Sequence, residues 1–298
     1  MMKSMEKEAK KTILVTGGAG FIGSHLCERL AKEGHHVISL DNYFAGSKEN
    51  HVLGVEYREG HTKDIEQYIP EQVDIVYHLG EYARVAKSLE EPETVFALNM
   101  LGTLGVLEFW RKRKCKLVYA GSSTKQADER ADGVLGRNLS PYTWAKAANS
   151  DLVANYGRWY KLPYAITYFY NVYGPRERSA TERGTFIETC RQNYLQGVPH
   201  KIASPGTQTR AFTHVSDTVA GIVLVGEKGE HEEYGISAKE VHSLLDVANM
   251  FGGEIEMLPQ TKSTRSTGTT DTSKIEMLGW KQQYKLEDYV KSVKEKQA

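Results

Sequence analysis

The stretch TGGAGFIG, residues 16–23, decides the fold of this chain. It follows the apolar run TILV (12–15) and opens a segment whose pattern predicts a helix over 20–33. A glycine-rich turn between a buried strand and a helix lets the backbone approach a pyrophosphate, and the helix N-terminus favours the anion. Asp41 ends the next apolar run, where a carboxylate can hold both ribose hydroxyls and repel a 2′-phosphate. The stretch therefore predicts dinucleotide binding, with NAD preferred to NADP.

Further apolar runs alternate with helical patterns over the first half of the chain. Helices are predicted near 93–113 and 141–160. Such alternation is typical of βαβ units, so the fold class is α/β: a Rossmann-type doubly wound parallel sheet with a smaller mixed α/β C-terminal substrate domain. Ligands of such sheets bind outside the carboxyl ends of the strands. The remaining strand candidates are HVISLD (36–41), VEYREG (55–60), VDIVYHLG (73–80), KLVYAGS (116–122) and YAITYFY (164–170).

The pattern changes after about residue 170, which predicts a boundary between two domains. We expect a disordered tail over 1–11, an NAD-binding domain over 12–170 and a mainly substrate-binding domain over 171–298. The second part is expected to return to the first domain near 206–236. Its helical candidates are 183–197, 215–227, 239–250 and 286–296, and the Ser/Thr-rich segment 260–274 is predicted to be a loop.

The amino-acid composition argues against some classes of binding partner. Lys plus Arg and Asp plus Glu both total 38, so the net charge is zero, which argues against a general nucleic-acid or membrane-surface binder. No apolar run reaches the length of a membrane span. Three widely spaced cysteines fit a reduced, cytoplasmic setting, and no group of residues has the spacing of a metal site.

A possible proton-transfer set follows the fifth strand. In SPYTWAKAANS (140–150), Tyr142 and Lys146 are one helical turn apart, and an ammonium beside a phenol stabilises the phenolate. An ordinary amphipathic helix has the same spacing, and spacing alone favours that plainer interpretation. Ser122, in AGSSTK (120–125), belongs either to a simple turn or to the same cleft. If the helix follows this strand in the sheet, the three side chains converge.

Five motifs of this chain belong together: TGGAGFIG, HLGEYARV (78–85), the serine-bearing strand end, SPYTWAK (140–146) and FYNVYGPRE (169–177). Together they resemble the extended short-chain dehydrogenase/reductase family, and within it the nucleotide-sugar epimerases and dehydratases such as UDP-glucose 4-epimerase. The resemblance extends from about residue 12 to residue 280.

This resemblance implies a mechanism and a set of catalytic residues. Tyr142 is the implied base, Lys146 binds the nicotinamide ribose, and Ser122, with its neighbour Ser123, is the hydroxyl residue. The phenolate takes the proton of the sugar 4-OH while hydride passes from C4 to a retained NAD, and the 4-keto sugar is then reduced on its other face. The implied NAD contacts are Gly17, Gly20, Phe21, Ile22, Gly23, Asp41, Asn42, Asp64, Ile65, Leu79, Gly80, Asn99, Tyr142, Lys146 and Tyr170.

The implied substrate is a nucleotide-diphosphate sugar, with UDP the favoured nucleotide. Arg210, in GTQTRAFTHVSD (206–217), is either a bidentate diphosphate ligand or a surface arginine beside Phe212. A second diphosphate ligand is Arg265 or Lys262, and Thr267 is placed where a small side chain leaves room for a 2-acetamido group. The implied substrate contacts are Glu81, Arg84, Ser122, Asn171, Arg210, Arg265 and Thr267.

The resemblance also separates subclasses of activity. Dehydratases and decarboxylases carry acidic residues just after the catalytic hydroxyl, whereas this chain has Ser123 and Thr124, so a 4-epimerase is favoured. The alternatives are a nucleotide-sugar reductase, a UDP-uronate epimerase on the same scaffold, and a non-catalytic nucleotide-sensing protein. A homodimer is implied, packed through a four-helix bundle of 93–113 and 141–160 from each subunit.

Three departures from the family pattern leave roles open. Where the family has Gly-Asp for adenine, this chain has Gly60-His61, so either Asp64 or the backbone serves, and a solvent-facing His61 is favoured. Glu81 and Arg84 enter the cleft; they pair with each other, which is slightly favoured, or read sugar hydroxyls or a C6 carboxylate. The usual Tyr-Gly after the serines is replaced by residues 125–127, Lys-Gln-Ala.

Overall fold

A seven-stranded parallel sheet organises the chain, of which the computed structural model describes residues 9–85, 87–123, 136–177, 184–259 and 271–297. The strands are β1 Thr12–Thr16, β2 His36–Asp41, β3 Val55–Glu59, β4 Ile75–His78, β5 Lys116–Ala120, β6 Tyr164–Phe169, β7 Val172–Tyr173, β8 His200–Ala203, β9 Thr209–Ala211, β10 Thr213–His214, β11 Glu233–Ile236, β12 Val241–Ser243 and β13 Ile255–Leu258. The large sheet has the order β11-β6-β5-β4-β1-β2-β3. All six predicted strands are present in it, and the predicted fold class is confirmed.

Helices cover both faces of this sheet. On one face α4 (Gly102–Arg113) and α5 (Pro141–Tyr160) pack on a cluster that includes Trp110 and Val153. On the other face α1 (Phe21–Lys32) and α7 (Val215–Lys228) pack on a cluster that includes Leu26 and Ile222. Strands buried on both faces are mostly apolar, which explains the nearly continuous apolar runs seen in the sequence. The helices are α1 Phe21–Lys32, α2 Ile65–Tyr68, α3 Pro92–Val95, a π-helix Phe96–Leu101, α4 Gly102–Arg113, α5 Pro141–Tyr160, α6 Phe186–Gln196, α7 Val215–Lys228, α8 Leu244–Phe251, α9 Ser273–Met277 and α10 Leu286–Glu295.

The sheet has a switch point beside β1. Thr16 is level with Leu40 of β2 on one side and with His78 of β4 on the other. The chain therefore leaves β1 toward one half of the sheet and later returns to build the other half. A crevice forms at the carboxyl ends of the strands where the order reverses.

A smaller unit follows β6. Its core includes Tyr173, Phe212 and Phe251, and its strands pair two by two: β7 with β10, β8 with β13, and β9 with β12. Within the predicted 206–236 return, α7 packs on α1 and β11 extends the large sheet beside β6. None of the described helices is long and apolar enough to cross a membrane.

One predicted helix begins later than expected. The segment 239–250 starts as strand β12, and helix α8 begins at Leu244. The reason is local, because the Ser243 hydroxyl accepts a hydrogen bond from the Asp246 amide (3.0 Å), and the Asp246 carboxylate accepts one from the Ser243 amide (2.9 Å). This capping box sets the first turn of the helix at Ser243.

Candidate active site

A cavity of about 340 Å³ lies along the carboxyl ends of the large sheet. Six neighbouring strands contribute to its wall at or just after their last residue. Side chains and amides from distant parts of the chain are thereby brought to one edge, as the switch-point rule predicts. The residues that mark these strand ends are Gly17, Asp41, Gly60, Leu79, Ala120 and Phe169.

The glycine turn forms a wall that has no room for side chains. Gly17 has φ +74°, and a Cβ on Gly23 would lie 2.1 Å from the Gly17 carbonyl oxygen. Gly20 is the N-cap of α1 and has no side chain to cap it, while Phe21 and Ile22 of the first turn line the cavity. The first turn of a helix has amides without partners in the helix, which suits a phosphate.

Asp41 lies beside this turn and is 7% exposed. Its two carboxylate oxygens accept hydrogen bonds from the amides of Ala19 (3.0 Å) and Tyr43 (2.8 Å). Burial raises the pKa of Asp41, and the two amides counter part of that effect. The glycine wall, the helix start and a carboxylate at the end of β2 fit the pyrophosphate and ribose of a dinucleotide.

Helix α5 brings Tyr142 and Lys146 to the opposite wall of the same cavity. The helix begins where the sequence predicts, with Pro141 in its first turn. Ser140 and Thr143 form a capping box: the Thr143 amide donates to the Ser140 hydroxyl (3.3 Å), and the Ser140 amide donates to the Thr143 hydroxyl (2.9 Å). This fixed start sets which face of α5 meets the cavity.

Lys146 forms an ion pair in the cavity wall. The residue is 5% exposed, and its ammonium donates hydrogen bonds to the Glu81 carboxylate and to the Ala120 carbonyl oxygen. The nitrogen also lies 5.0 Å from the centre of the Tyr119 ring. The expected pairing of Glu81 with Arg84 is therefore wrong, because the Glu81 carboxylate turns inward to Lys146.

The Glu81 side chain is 1% exposed and accepts three further hydrogen bonds. The donors are the Thr103 hydroxyl (2.6 Å), the Tyr119 hydroxyl (3.0 Å) and the Asn149 amide (2.8 Å). Burial raises the pKa of the Glu81 carboxyl, but the charge and hydrogen bond of Lys146, the nearby His78 ring and the Thr103 hydrogen bond outweigh it, so the pKa lies below its usual value. The carboxylate is thus held ionised in the interior.

A chain of neutral hydrogen-bonding groups connects the Glu81 carboxylate to Thr16 at the end of β1. The Gly80 amide donates to the Thr16 hydroxyl (3.1 Å), which lies 2.7 Å from His78 Nδ1. His78 Nε2 lies 2.9 Å from the Thr103 hydroxyl, the group that donates to Glu81. Burial lowers the pKa of His78 to about 4, so the ring is neutral at pH 7, and the network assigns its proton to Nε2. Thr16, the first residue of the glycine turn, and the Glu81–Lys146 ion pair therefore belong to one hydrogen-bonded assembly.

Arg84 and Asn171 line the cavity as well. Arg84 donates to the carbonyl oxygen of its neighbour Ala83 (3.0 Å), and Asn171 donates to the Ala211 carbonyl oxygen (2.9 Å). Both side chains lie where the sequence analysis expects the substrate, and their roles in binding it stay predictions.

Other predicted site residues lie behind the cavity wall. Asn99, in the π-helix, is fully buried and clamps the loop after β4, accepting from the Tyr82 amide (2.6 Å) and donating to the Tyr82 carbonyl oxygen (3.1 Å). Ile65 and Tyr170 belong to the core beneath the sheet. Among the described residues, none of these three forms the cavity surface.

Ser122, Asp64 and Arg210 also stay outside the cavity lining. Ser122 is buried directly after Gly121, which does line it, and Ser123 follows, half-buried. Arg210 lies on β9 opposite His242 of β12. The predicted residues Lys262, Arg265 and Thr267, and the segment 124–127, lie outside the described residues.

Some residues at the cavity were not among the predicted site residues. Gly60 and Thr62 line the cavity near Asp41, whereas Asp64 does not, and His61 is half-buried, its ring accepting a hydrogen bond from the Lys63 amide (3.0 Å). Asn149 was missed although it lies three residues after Lys146, a spacing that places both on one helix face.

Glu177 is a second missed carboxylate in the cavity wall. It accepts hydrogen bonds from the Thr185 amide and hydroxyl (2.9 Å for the hydroxyl), and burial raises its pKa to about 7. The sequence offered a signal, since this residue ends the quoted motif FYNVYGPRE. The two hydrogen bonds give it a clear role in holding the start of α6.

One exposed cluster has metal-ligand atoms close together. Glu240, His242 and Glu287 bring theirs within 4.8 Å of one another at the surface. Glu240 lies just before β12, His242 lies in β12 and Glu287 lies at the start of α10, so sequence spacing could not predict their meeting. Exposed acidic groups commonly cluster without an ion, and no site is assigned to them.

Comparison with known proteins identifies the family. The profile of the NAD dependent epimerase/dehydratase family matches residues 13–237, three quarters of the chain. The chain belongs to this family. NAD is the family's cofactor, and the glycine wall with Asp41 is the part of this cavity that fits it.

Three members of the family illustrate its range. A provisionally assigned UDP-glucose 4-epimerase of Methanocaldococcus jannaschii is 32% identical over 295 residues, 94% of this chain and 96% of that protein. UDP-glucuronic acid decarboxylase 1 of Xenopus tropicalis is 28% identical, covering 96% of this chain and 72% of its own. The solved UDP-glucose 4-epimerase of Thermus thermophilus in complex with NAD is 27% identical with a TM-score of 0.85, covering 95% of this chain and 98% of its own. This chain is similar to nucleotide-sugar enzymes that carry out different reactions.

Proposed function

We propose that this chain is an NAD-dependent 4-epimerase of a UDP-hexose or UDP-N-acetylhexosamine. The observation that carries the proposal is the placement of Tyr142 and Lys146 on the same cavity as the glycine turn and Asp41. A proton acceptor and a cofactor site therefore share one cleft. The mixture of epimerases and decarboxylases among its relatives makes the choice of reaction depend on the site itself.

The residues divide the chemistry between them. Tyr142 takes the proton from the sugar 4-hydroxyl and returns it at the end of the cycle, while Lys146 stabilises the phenolate by its charge. Ser122 orients the reacting oxygen from the end of β5. NAD, when bound between Asp41 and the glycine turn, supplies the acceptor and donor of the electron pair at C4.

The described carboxylates support epimerisation over elimination or decarboxylation. Three of them line the cavity, and each is engaged elsewhere. Asp41 lies at the end of the cavity expected to hold the cofactor, the Glu81 carboxylate binds Lys146, and the Glu177 carboxylate binds Thr185. The residue after Ser122 is a second serine. Turning over a 4-keto sugar needs no further acid or base beside that hydroxyl, whereas removing a group from C6 or losing a carboxylate does.

A UDP-uronate 4-epimerase is the second candidate. Arg84 lines the cavity, and an arginine guanidinium is well suited to bind a carboxylate. The similar decarboxylase is named for a UDP-uronic acid. This candidate shares the catalytic residues of the first and differs only in the sugar.

The direct test is epimerisation without added cofactor. Purified protein is incubated with UDP-glucose, UDP-N-acetylglucosamine or UDP-glucuronic acid, and the anomeric protons are followed by NMR. New signals of the 4-epimer support the proposal, and the fastest substrate identifies the sugar. A product whose formation consumes external NADH would instead indicate a reductase.

A matched variant tests whether the protein catalyses a reaction or only binds nucleotides. Tyr142→Phe keeps the ring and its packing but removes the proton acceptor. We expect turnover to fall by about 100-fold or more while NAD binding is retained. Unchanged turnover in this variant would refute the role of Tyr142, and absence of any turnover in the parent protein would favour nucleotide sensing.

We further infer a cytoplasmic homodimer. Phe96, Leu101, Leu104 and Trp144 are exposed apolar residues on the π-helix, α4 and α5. These are the helices expected to form an intermolecular four-helix bundle. Leu101→Glu places a charge on that surface and should convert dimer to monomer in light scattering after size exclusion, whereas Leu53→Glu on an unrelated exposed loop should not.

A further inference from the structure

We propose that Glu81 is a positioning residue that, through Lys146, sets the pH at which the Tyr142–Lys146 pair releases its first proton. The inference rests on the proposed function, in which Tyr142 is the base. It concerns the charge of Glu81, which directly follows Gly80 in the loop after β4.

The Lys146 ammonium has one more hydrogen-bond donor than its two contacts in the cavity wall use. An ammonium group has three N–H donors. The Glu81 carboxylate takes one and the Ala120 carbonyl oxygen takes another. One donor of Lys146 remains for the cavity that this residue lines. Glu81 thus fixes the orientation of the ammonium as well as compensating its charge.

The groups around the Glu81–Lys146 ion pair come from several elements of the fold. Glu81, from the loop after β4, is the anion in contact with Lys146 of α5. Tyr119 of β5 faces both groups; burial and the Glu81 charge raise its pKa well above the usual value, so it stays neutral. His78 of β4 is neutral as well, and Thr103 of α4 and Asn149 of α5 carry no charge.

Among the described residues in direct contact, the assembly therefore holds one positive and one negative charge. Tyr142 lies one helical turn before Lys146 on α5 and lines the same cavity. A negative charge close to a phenol opposes loss of its proton. Glu81 thus offsets part of the stabilisation that Lys146 alone would give to the phenolate.

The test is a phenolate titration that needs no sugar. Absorbance near 295 nm is followed against pH for the NAD-bound protein, and the curve of Tyr142→Phe is subtracted. The same subtraction is made in the Glu81→Gln background. We expect the midpoint in Glu81→Gln to lie lower by about one pH unit, because the opposing charge is gone while the shape of the side chain is kept.

Two further variants separate charge from structure. Glu81→Ala removes the same charge and leaves room for water beside Lys146, so its midpoint must move in the same direction. Tyr119→Phe removes one hydrogen bond to Glu81 but leaves the charge pair, and its midpoint must stay at the parent value. A residue that served only for packing would shift all three variants or none.

An unchanged midpoint in both Glu81 variants, or an equal shift in Tyr119→Phe, would overturn the inference. Failure of the proposed function would look different. In that case the parent protein would not epimerise any of the three sugars, while the midpoint would still move with the charge at position 81.

Discussion

Replacing Lys146 by methionine should destabilise the fold through the carboxylate that it leaves behind. The Glu81 side chain is 1% exposed, and Lys146 is its only cationic contact among the described residues. Removing one partner of a buried ion pair costs about 3–5 kcal/mol of unfolding free energy, because a buried charge is left uncompensated. Hydrogen bonds from Thr103, Tyr119 and Asn149 remain. We therefore expect the lower end, about 3 kcal/mol at neutral pH.

The pH dependence of this loss has a definite sign. In the parent protein the pKa of Glu81 is lowered, so its contribution to stability is present above the unfolded-state pKa and is lost as the pH falls through the folded-state value. Without Lys146, burial raises the pKa of Glu81 instead. The carboxyl then takes up a proton on folding, and stability is lost as the pH rises above about 4.3. The deficit of Lys146→Met should therefore be larger at about pH 8 than at about pH 5.

Urea unfolding at those two pH values measures the deficit. The double variant Glu81→Gln/Lys146→Met should recover at least half of it, because the uncompensated charge is gone. Lys112→Met is the matched control: Lys112 pairs with Glu66 at 2.6 Å, but both side chains are about half exposed, so its loss should stay below about 1 kcal/mol. A Lys146→Met protein as stable as the parent, or a deficit equal at both pH values, would refute the reasoning.

Three further perturbations test the cofactor wall and the second carboxylate. Gly23→Ala would place a Cβ 2.1 Å from the Gly17 carbonyl oxygen, so NAD affinity measured by calorimetry should fall at least about 10-fold, with about 1–3 kcal/mol lost from stability. Asp41→Asn removes the charge that repels a 2′-phosphate, so the ratio of NADP to NAD affinity should rise by about 10-fold or more. Burial raises the pKa of Glu177 to about 7, so the parent loses stability as the pH rises from about 4.5 through that value. Glu177→Gln should remove that slope, and an unchanged slope in urea unfolding would show that another group causes it.

The strands and helix α5 could be predicted because their signals are local. β1 carries the buried apolar run Ile13, Leu14 and Val15, and α5 begins at a serine followed by proline, with its cap contacts only three residues apart. The switch point follows from the alternation of such elements, so the edge of the sheet at which Gly17, Asp41 and Tyr142 meet was also predictable.

The partner of Glu81 could not be predicted in the same way. Lys146 is 65 residues away in sequence, and the other groups that bind the carboxylate come from α4, β5 and a later turn of α5. At the level of sequence, Arg84 is nearby and has the right charge, which is why the pair with Arg84 was favoured. The structure decides against it because the loop after β4 is held from both sides.

That constraint also supports the proposed influence of position 81 on Tyr142. A Cβ on Gly17 would lie 2.8 Å from the Gly80 Cα, so the two loops pack backbone against backbone, and Asn99 holds Tyr82 on the other side. Whatever side chain follows Gly80 must therefore start from the same point beside Lys146. A carboxylate there changes the charge next to Lys146 without altering the glycine wall, whereas a change at Lys146 or Tyr142 would remove one of the groups proposed to carry the chemistry. Substitutions at Glu81 should consequently change the pH dependence of the reaction while leaving the affinity for NAD near the parent value, and a parallel loss of both would show that the loop does not hold this geometry.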